Sequence, residues 1–179
     1  MLRPVPVLLH PRDRNHADAG ATRGTRRRGP GGALPLRPAL VVGIGNVTRG
    51  DDAAGIRVAE RVARLRPLAD VIAVQQLVPE IAERMAEADV AVFVDASASA
   101  RELTLSDVVA DPTSTSTHVG SPGALLALCE ALYGRRPERV VLLEIPGRDF
   151  GFAETLSDGT SEALHGAVER VLEMIEGCG

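Results

Sequence analysis

Asp52, Asp95 and His118 are the side chains in this sequence whose types could do chemistry together. Two carboxylates and an imidazole make a hard-to-borderline donor set suited to Ni, Zn or Mn. The three lie far apart in the chain, so only the elements that carry them can bring them together. Each also has a plainer reading. An acidic residue at 51 or 52 is favourable by ~0.3–1 kcal/mol near the positive end of a helix, although capping needs only one of Asp51 and Asp52. Asp95 could cap the turn after it, and His118 could be an exposed loop histidine. Glu144, near the same edge, could be a supporting or purely structural partner. His10 and His16 fall in a segment without apolar periodicity and His165 on a terminal helix, so all three are set aside. No GxSxG elbow is present, and Ser114 and Ser116 with their threonine neighbours read as loop composition.

The elements that must position these groups begin with Leu40, Val41, Val42 and Ile44, an apolar β-rich run without alternation, as in a strand buried on both faces of a parallel sheet. Gly43 and Gly45 permit a sharp turn at its carboxyl end. After Asn46-Val47-Thr48-Arg49-Gly50, Asp51 or Asp52 is expected to cap a helix with Ile56, Ala59, Val62 and Ala63 at helical spacing. A dinucleotide fingerprint would need a glycine at position 48, where Thr48 stands, and two loop carboxylates would repel a pyrophosphate.

Val71–Val74 reads as a second strand leading into Gln75-Gln76-Leu77, and Pro79 suits the first turn of a helix running to about Ala88. Val90–Val94 is a third buried strand that delivers Asp95 at its carboxyl end, where sites gather in open α/β sheets. Residues 102–109 form a weaker fourth strand whose alternation suggests an edge and admits antiparallel pairing. The polar loop 111–121 carries His118. Ser121 and Pro122 open a helix with Leu125, Leu126, Leu128, Cys129 and Leu132 on its apolar face. Val140–Ile145 is the last buried strand, ending in Glu144 and Pro146-Gly147. A terminal helix starts near Thr160 or Ser161 and carries Leu164, Ala167, Val168, Val171, Leu172 and Ile175 on one stripe. Five strands interleaved with helices give an α/β class.

Composition supports that class and excludes others. Aromatics are 2% of the chain against 45% hydrophobic residues, so the core is built from Val, Leu, Ile and Ala. Residues 1–39 hold eight Arg and two Asp, leaving 12 basic and 22 acidic residues in the rest, so nucleic acid is not an expected partner of the folded part. Every basic residue is Arg, which reads as coding bias. Residues 1–38, with six prolines, five glycines and Arg26-Arg27-Arg28, read as a disordered basic extension, and 39–179 as a single α/β domain. The arginines do not make an export signal, because Gly29-Pro30-Gly31-Gly32 stands where an apolar core should follow. Cys129 reads as core and Cys178 as tail, neither in a CxxC pair, which favours a reduced cytoplasmic setting. No apolar run approaches the roughly 20 residues needed to span a bilayer.

The segments GIGNVTRGDDAAGIRVAE (43–60), FVDA (93–96), Thr117-His118 and EIPG (144–147) resemble the hydrogenase maturation endopeptidases over about Leu40–Glu176. That resemblance implies a three-layer α/β sandwich with a mainly parallel five-stranded sheet. It further implies an enzyme that removes a C-terminal peptide from a NiFe hydrogenase large-subunit precursor after nickel has been inserted. By motif, the family's nickel-contacting carboxylates fall on Asp52 and Asp95 and its histidine on His118. The nickel would arrive with the substrate and be weakly held, or absent, in the isolated protein. Coordination would place the scissile peptide beside the ion, with one carboxylate taking a proton. One departure is Gln75-Gln76-Leu77-Val78-Pro79-Glu80, where many relatives carry a small glycine-containing loop, so the cognate hydrogenase stays open. The competing expectations are a non-catalytic, nickel-dependent module that binds the precursor, and a nucleotide-binding α/β protein.

Overall fold

The computed structural model describes residues 39–114 and 120–177. The basic segment 1–38, His118 and Cys178 lie outside the described residues.

The apolar run at 39–44 is strand β1 (Ala39–Ile44), buried from Ala39 to Gly43. It leads through a loop and a short 3-10 helix (Gly50–Ala53) into α1 (Ala54–Leu65). Then follow β2 (Asp70–Val74), α2 (Ile81–Glu87), β3 (Val90–Ser97), β4 (Thr104–Asp107), α3 (Pro122–Tyr133), β5 (Arg139–Pro146) and α4 (Asp158–Glu176). The strands form one sheet in the order β2-β1-β3-β5-β4. All pairings are parallel except β4 with β5, which is antiparallel and closes one edge, as the alternation in 102–109 suggested.

Helices cover both faces, because each strand sends alternate side chains to opposite sides. Val41, Val92, Val94, Val141, Leu143 and Ile145 pack with α1 and α4 residues such as Val58, Val62, Leu164 and Val171. Leu40, Val42, Ala91, Phe93 and Val140 pack on the other face with Met85 of α2 and Leu125, Leu126 and Cys129 of α3. The result is the expected three-layer α/β sandwich with a mainly parallel five-stranded sheet. The buried free thiol of Cys129 belongs to its core.

Local details differ from expectation for physical reasons. Neither Asp51 nor Asp52 caps the first helix, since no side-chain cap bond forms at the 3-10 helix or at α1. The inward face of α1 uses Val58, while Ala63 is exposed. Pro79 stands in the turn before α2, whose helix begins at Ile81. Helix α4 starts at Asp158 after Ser157, and Thr160 sits in its first turn with a buried hydroxyl donating to the Pro146 carbonyl at 2.8 Å. The α3 start is as read: Ser121 Oγ accepts from the Ala124 amide at 3.2 Å and Pro122 follows at the first helical position.

Candidate active site

The strand order turns back on itself between β1 and β3: from β1 the chain goes to β2 on one side and to β3 on the other. Ligands of open α/β sheets bind outside the carboxyl ends of the strands at such a reversal. Asp52 follows β1, and Asp95 lies near the carboxyl end of β3.

Two glycines bring these ends together. Gly45 has φ of +144°, and a Cβ there would lie 1.7 Å from the Asp52 carbonyl oxygen. The loop thus folds back on β1, with the Asn46 amide donating to that carbonyl at 3.3 Å and the Asp52 amide to the Arg49 carbonyl at 3.1 Å. A Cβ on Gly55 would lie 2.3 Å from the Val94 carbonyl oxygen and 2.4 Å from that of Ile44. The first turn of α1 therefore rests on the ends of β1 and β3 together, which sets Asp52 near Asp95.

Asp51 has a different task. It is fully buried, and its carboxylate accepts from the Arg148 amide at 2.7 Å, the Asp149 amide at 2.9 Å, and both the amide (2.7 Å) and hydroxyl (2.8 Å) of Ser157. Burial alone would raise its pKa, but these hydrogen bonds to the charged form outweigh it and hold the carboxyl at about 2. Asp51 pins the 147–157 loop to the loop that carries Asp52. The adjacency of two aspartates signalled two tasks, but the partners of Asp51 are main-chain amides about a hundred residues away, which no side-chain pattern reveals.

Asp95 is half-buried and accepts from the Ala96 amide at 2.8 Å. It stands across the sheet from Glu144, on the face shared with Phe93 and Leu142. Burial, opposed by the Ala96 hydrogen bond but reinforced by the charges of Asp52 and Glu144, pushes it up to about 6. Glu144 is thus a close electrostatic neighbour of Asp95.

A cleft of about 410 Å³ opens beside Asp95 on this face, bounded by Ile44, Leu77, Pro79, Pro122 and Leu142. Gly120, the first described residue after the His118 loop, also lines it. Among the described residues, no three His, Cys, Asp or Glu side chains form a group able to hold a metal ion. Of the three residues read from the sequence as a metal set, Asp52 and Asp95 are described, at the carboxyl ends of β1 and β3, and His118 lies outside the described residues.

The class defined by this fold is the three-layer α/β type with an antiparallel edge strand found in hydrogenase maturation endopeptidases, the family that the sequence motifs resemble. The chain is similar to the hydrogenase maturating endopeptidase HybD from E. coli, with 20% identity, TM-score 0.64, and 79% of this chain and 94% of that one covered. It is similar to the [NiFe] hydrogenase maturation protease HybD from Thermococcus kodakarensis, with 21% identity, TM-score 0.61, and 77% and 99% coverage. For the [NiFe] hydrogenase maturation protease HycI from Thermococcus kodakarensis KOD1 the figures are 27%, 0.58, 79% and 94%. No family model and no curated protein sequence matches the chain. Among the described residues, no helix is long and apolar enough to cross a membrane.

Proposed function

We propose that this protein is a hydrogenase maturation endopeptidase that removes the C-terminal peptide of a NiFe hydrogenase large-subunit precursor, and that it reads the nickel carried by that precursor. The observation that carries the proposal is the convergence of Asp52 and Asp95 at the β1/β3 reversal, in a fold shared with solved hydrogenase maturation proteases. Asp52, Asp95 and His118 are assigned as the residues that meet the nickel. Nickel belongs to the substrate, so a precursor without it presents no ion to these residues and its scissile peptide is not positioned.

The chain's own residues supply the rest of the chemistry. The carboxylates offer two anionic oxygen ligands, and one of them accepts the proton of the attacking water. The cleft beside Asp95 receives the extended C-terminal segment of the precursor, with the apolar wall of Ile44, Leu77 and Leu142 excluding water from one side.

Incubation of the full chain with a nickel-loaded precursor, followed by intact mass, tests the reading: loss of a C-terminal peptide is the expected result. A stable complex with no mass change would instead favour a non-catalytic binding module. Nucleotide binding has little structural support, because the close approach permitted at Gly45 is taken up by the Asp52 backbone. A nucleotide-induced rise in melting temperature would restore it.

A further inference from the structure

The loops after β1, β2 and β5 all leave the carboxyl ends of parallel strands, and they use their main-chain groups differently. The loops after β1 and β5 spend theirs on each other. The Gly50 amide donates to the Ala153 carbonyl at 2.8 Å, the Ala153 amide to the Thr48 carbonyl at 3.1 Å, and the Asp51 amide to the Asp149 carbonyl at 2.8 Å. The loop after β2 does not. Among the described residues, neither the main-chain groups of Gln75, Gln76 and Leu77 nor the two carboxamide side chains have a hydrogen-bond partner. This open stretch is nonetheless anchored at both ends, by the Gly45 amide on the Val74 carbonyl at 3.0 Å and by the Ile81 amide on the Val78 carbonyl at 3.1 Å.

The same stretch forms a wall of the cleft of about 410 Å³ beside Asp95, in which Gln75 to Pro79 are five consecutive lining residues. Facing chemistry narrows what the cleft can take. Among the described residues that line it, Asp95 alone carries a charge, so no cation is there to hold a phosphate or a carboxylate. The remaining polar groups are neutral pairs: each carboxamide has an N–H donor and a C=O acceptor, the same pair that a peptide unit presents. Open main-chain groups find their complement in another main chain lying extended, as in the addition of a peptide to a free strand edge. Leu77, Pro79, Pro122 and Leu142 add apolar surface on which such a segment can lie.

We propose that Gln75 and Gln76, together with the open main chain of 75–77, hold the C-terminal segment of the precursor by its peptide backbone. This rests on the endopeptidase reading above and assigns the affinity for the segment to two side chains outside the set of Asp52, Asp95 and His118. The ends of the stretch are fixed before the substrate arrives, so little backbone ordering is needed when it binds.

The test uses the full chain, a nickel-loaded hydrogenase large-subunit precursor for steady-state cleavage by intact mass, and synthetic peptides spanning that precursor's cleavage site for calorimetry. The double variant Gln75→Ala, Gln76→Ala is expected to weaken peptide binding and raise KM by about 10-fold, with kcat within about twofold, as loss of uniform binding requires. Its melting temperature should match the wild type, since neither side chain makes a bond within the fold. Single N-methyl groups along the peptide backbone should weaken binding to the wild type by about fivefold or more at one or two positions, and by less to the double variant, because the two changes remove the same contacts. Affinity and KM within twofold of the wild type in the double variant, while the wild type cleaves, would overturn the backbone-binding role alone. Equal N-methyl losses in both proteins would place the contacts elsewhere and would overturn it too. A wild type that neither binds the peptides nor cleaves the precursor would overturn the endopeptidase reading beneath it.

Discussion

Asp51 and Ser157 meet twice: the Ser157 amide donates to one carboxylate oxygen at 2.7 Å and its hydroxyl to the other at 2.8 Å. This contact fastens the start of α4 to the loop after β1, and with the Arg148 and Asp149 amides it leaves the buried carboxylate fully engaged. Asp51→Ala removes the acceptor of three part-buried amides and leaves the buried pocket of the carboxylate empty, at an expected cost of roughly 2–4 kcal/mol. Ser157→Ala keeps the amide bond and loses the hydroxyl bonds, for about 1 kcal/mol. Chemical denaturation of both variants checks the ranking, and equal losses would contradict it.

The same carboxylate makes stability depend on acid. Asp51 is held at about 2, below the ordinary 3.8, despite burial, by its three amide bonds and the Ser157 hydroxyl. A lowered carboxyl pKa gives stability that is complete above 3.8 and is lost as pH falls through about 2. This contribution is roughly 2 kcal/mol. Carbon-13 NMR of the side-chain carboxyl should show Asp51 still ionised at pH 3; a midpoint near 4 would refute the assignment.

Asp95 has the opposite sign. Burial and the charges of Asp52 and Glu144 raise it to about 6, so ionising it opposes folding as pH rises from about 4 through 6. Asp95→Asn is therefore expected to match the wild type near pH 4 and to be more stable by roughly 1–3 kcal/mol at pH 8. Under the proposed function it also loses cleavage. Melting curves at the two pH values decide the first point, and an equal or lower melting temperature at pH 8 would contradict it.

Gly55 sets the distance between α1 and the sheet. Gly55→Ala would put a methyl 2.3 Å from the Val94 carbonyl oxygen, where backbone on both sides has no room to yield. A loss of at least about 3 kcal/mol is expected. Gly134→Ala, at the left-handed end of α3 with open space around it, should cost less, since it bears only backbone strain. Comparing the two melting temperatures separates packing from conformational cost.

The strands were legible because their signals are local and redundant. Val90–Val94 is apolar at every position and is buried at every position, and the weaker alternation at 102–109 correctly placed an antiparallel edge strand. Ser121-Pro122 announced α3 because cap and first-turn chemistry are read residue by residue. The start of α4 was less legible, since Asp158-Gly159 carries turn composition while the helix is fixed from outside by Asp51 binding Ser157. The position of Asp52 after β1 and of Asp95 at the carboxyl end of β3 could be read from the strand pattern alone. The work of Asp51 could not, because hydrogen bonds to distant main-chain amides leave no trace in residue type.

Under the proposed function, the chain cuts a precursor because of the nickel inside it. The direct measurement follows the intact mass of nickel-loaded and nickel-free large-subunit precursor side by side, with wild-type protein and with Asp52→Ala. Loss of the C-terminal peptide only from the loaded precursor, and only with the wild type, is the predicted result. Equal cleavage of both precursors would contradict nickel reading, and cleavage of neither would contradict the endopeptidase assignment.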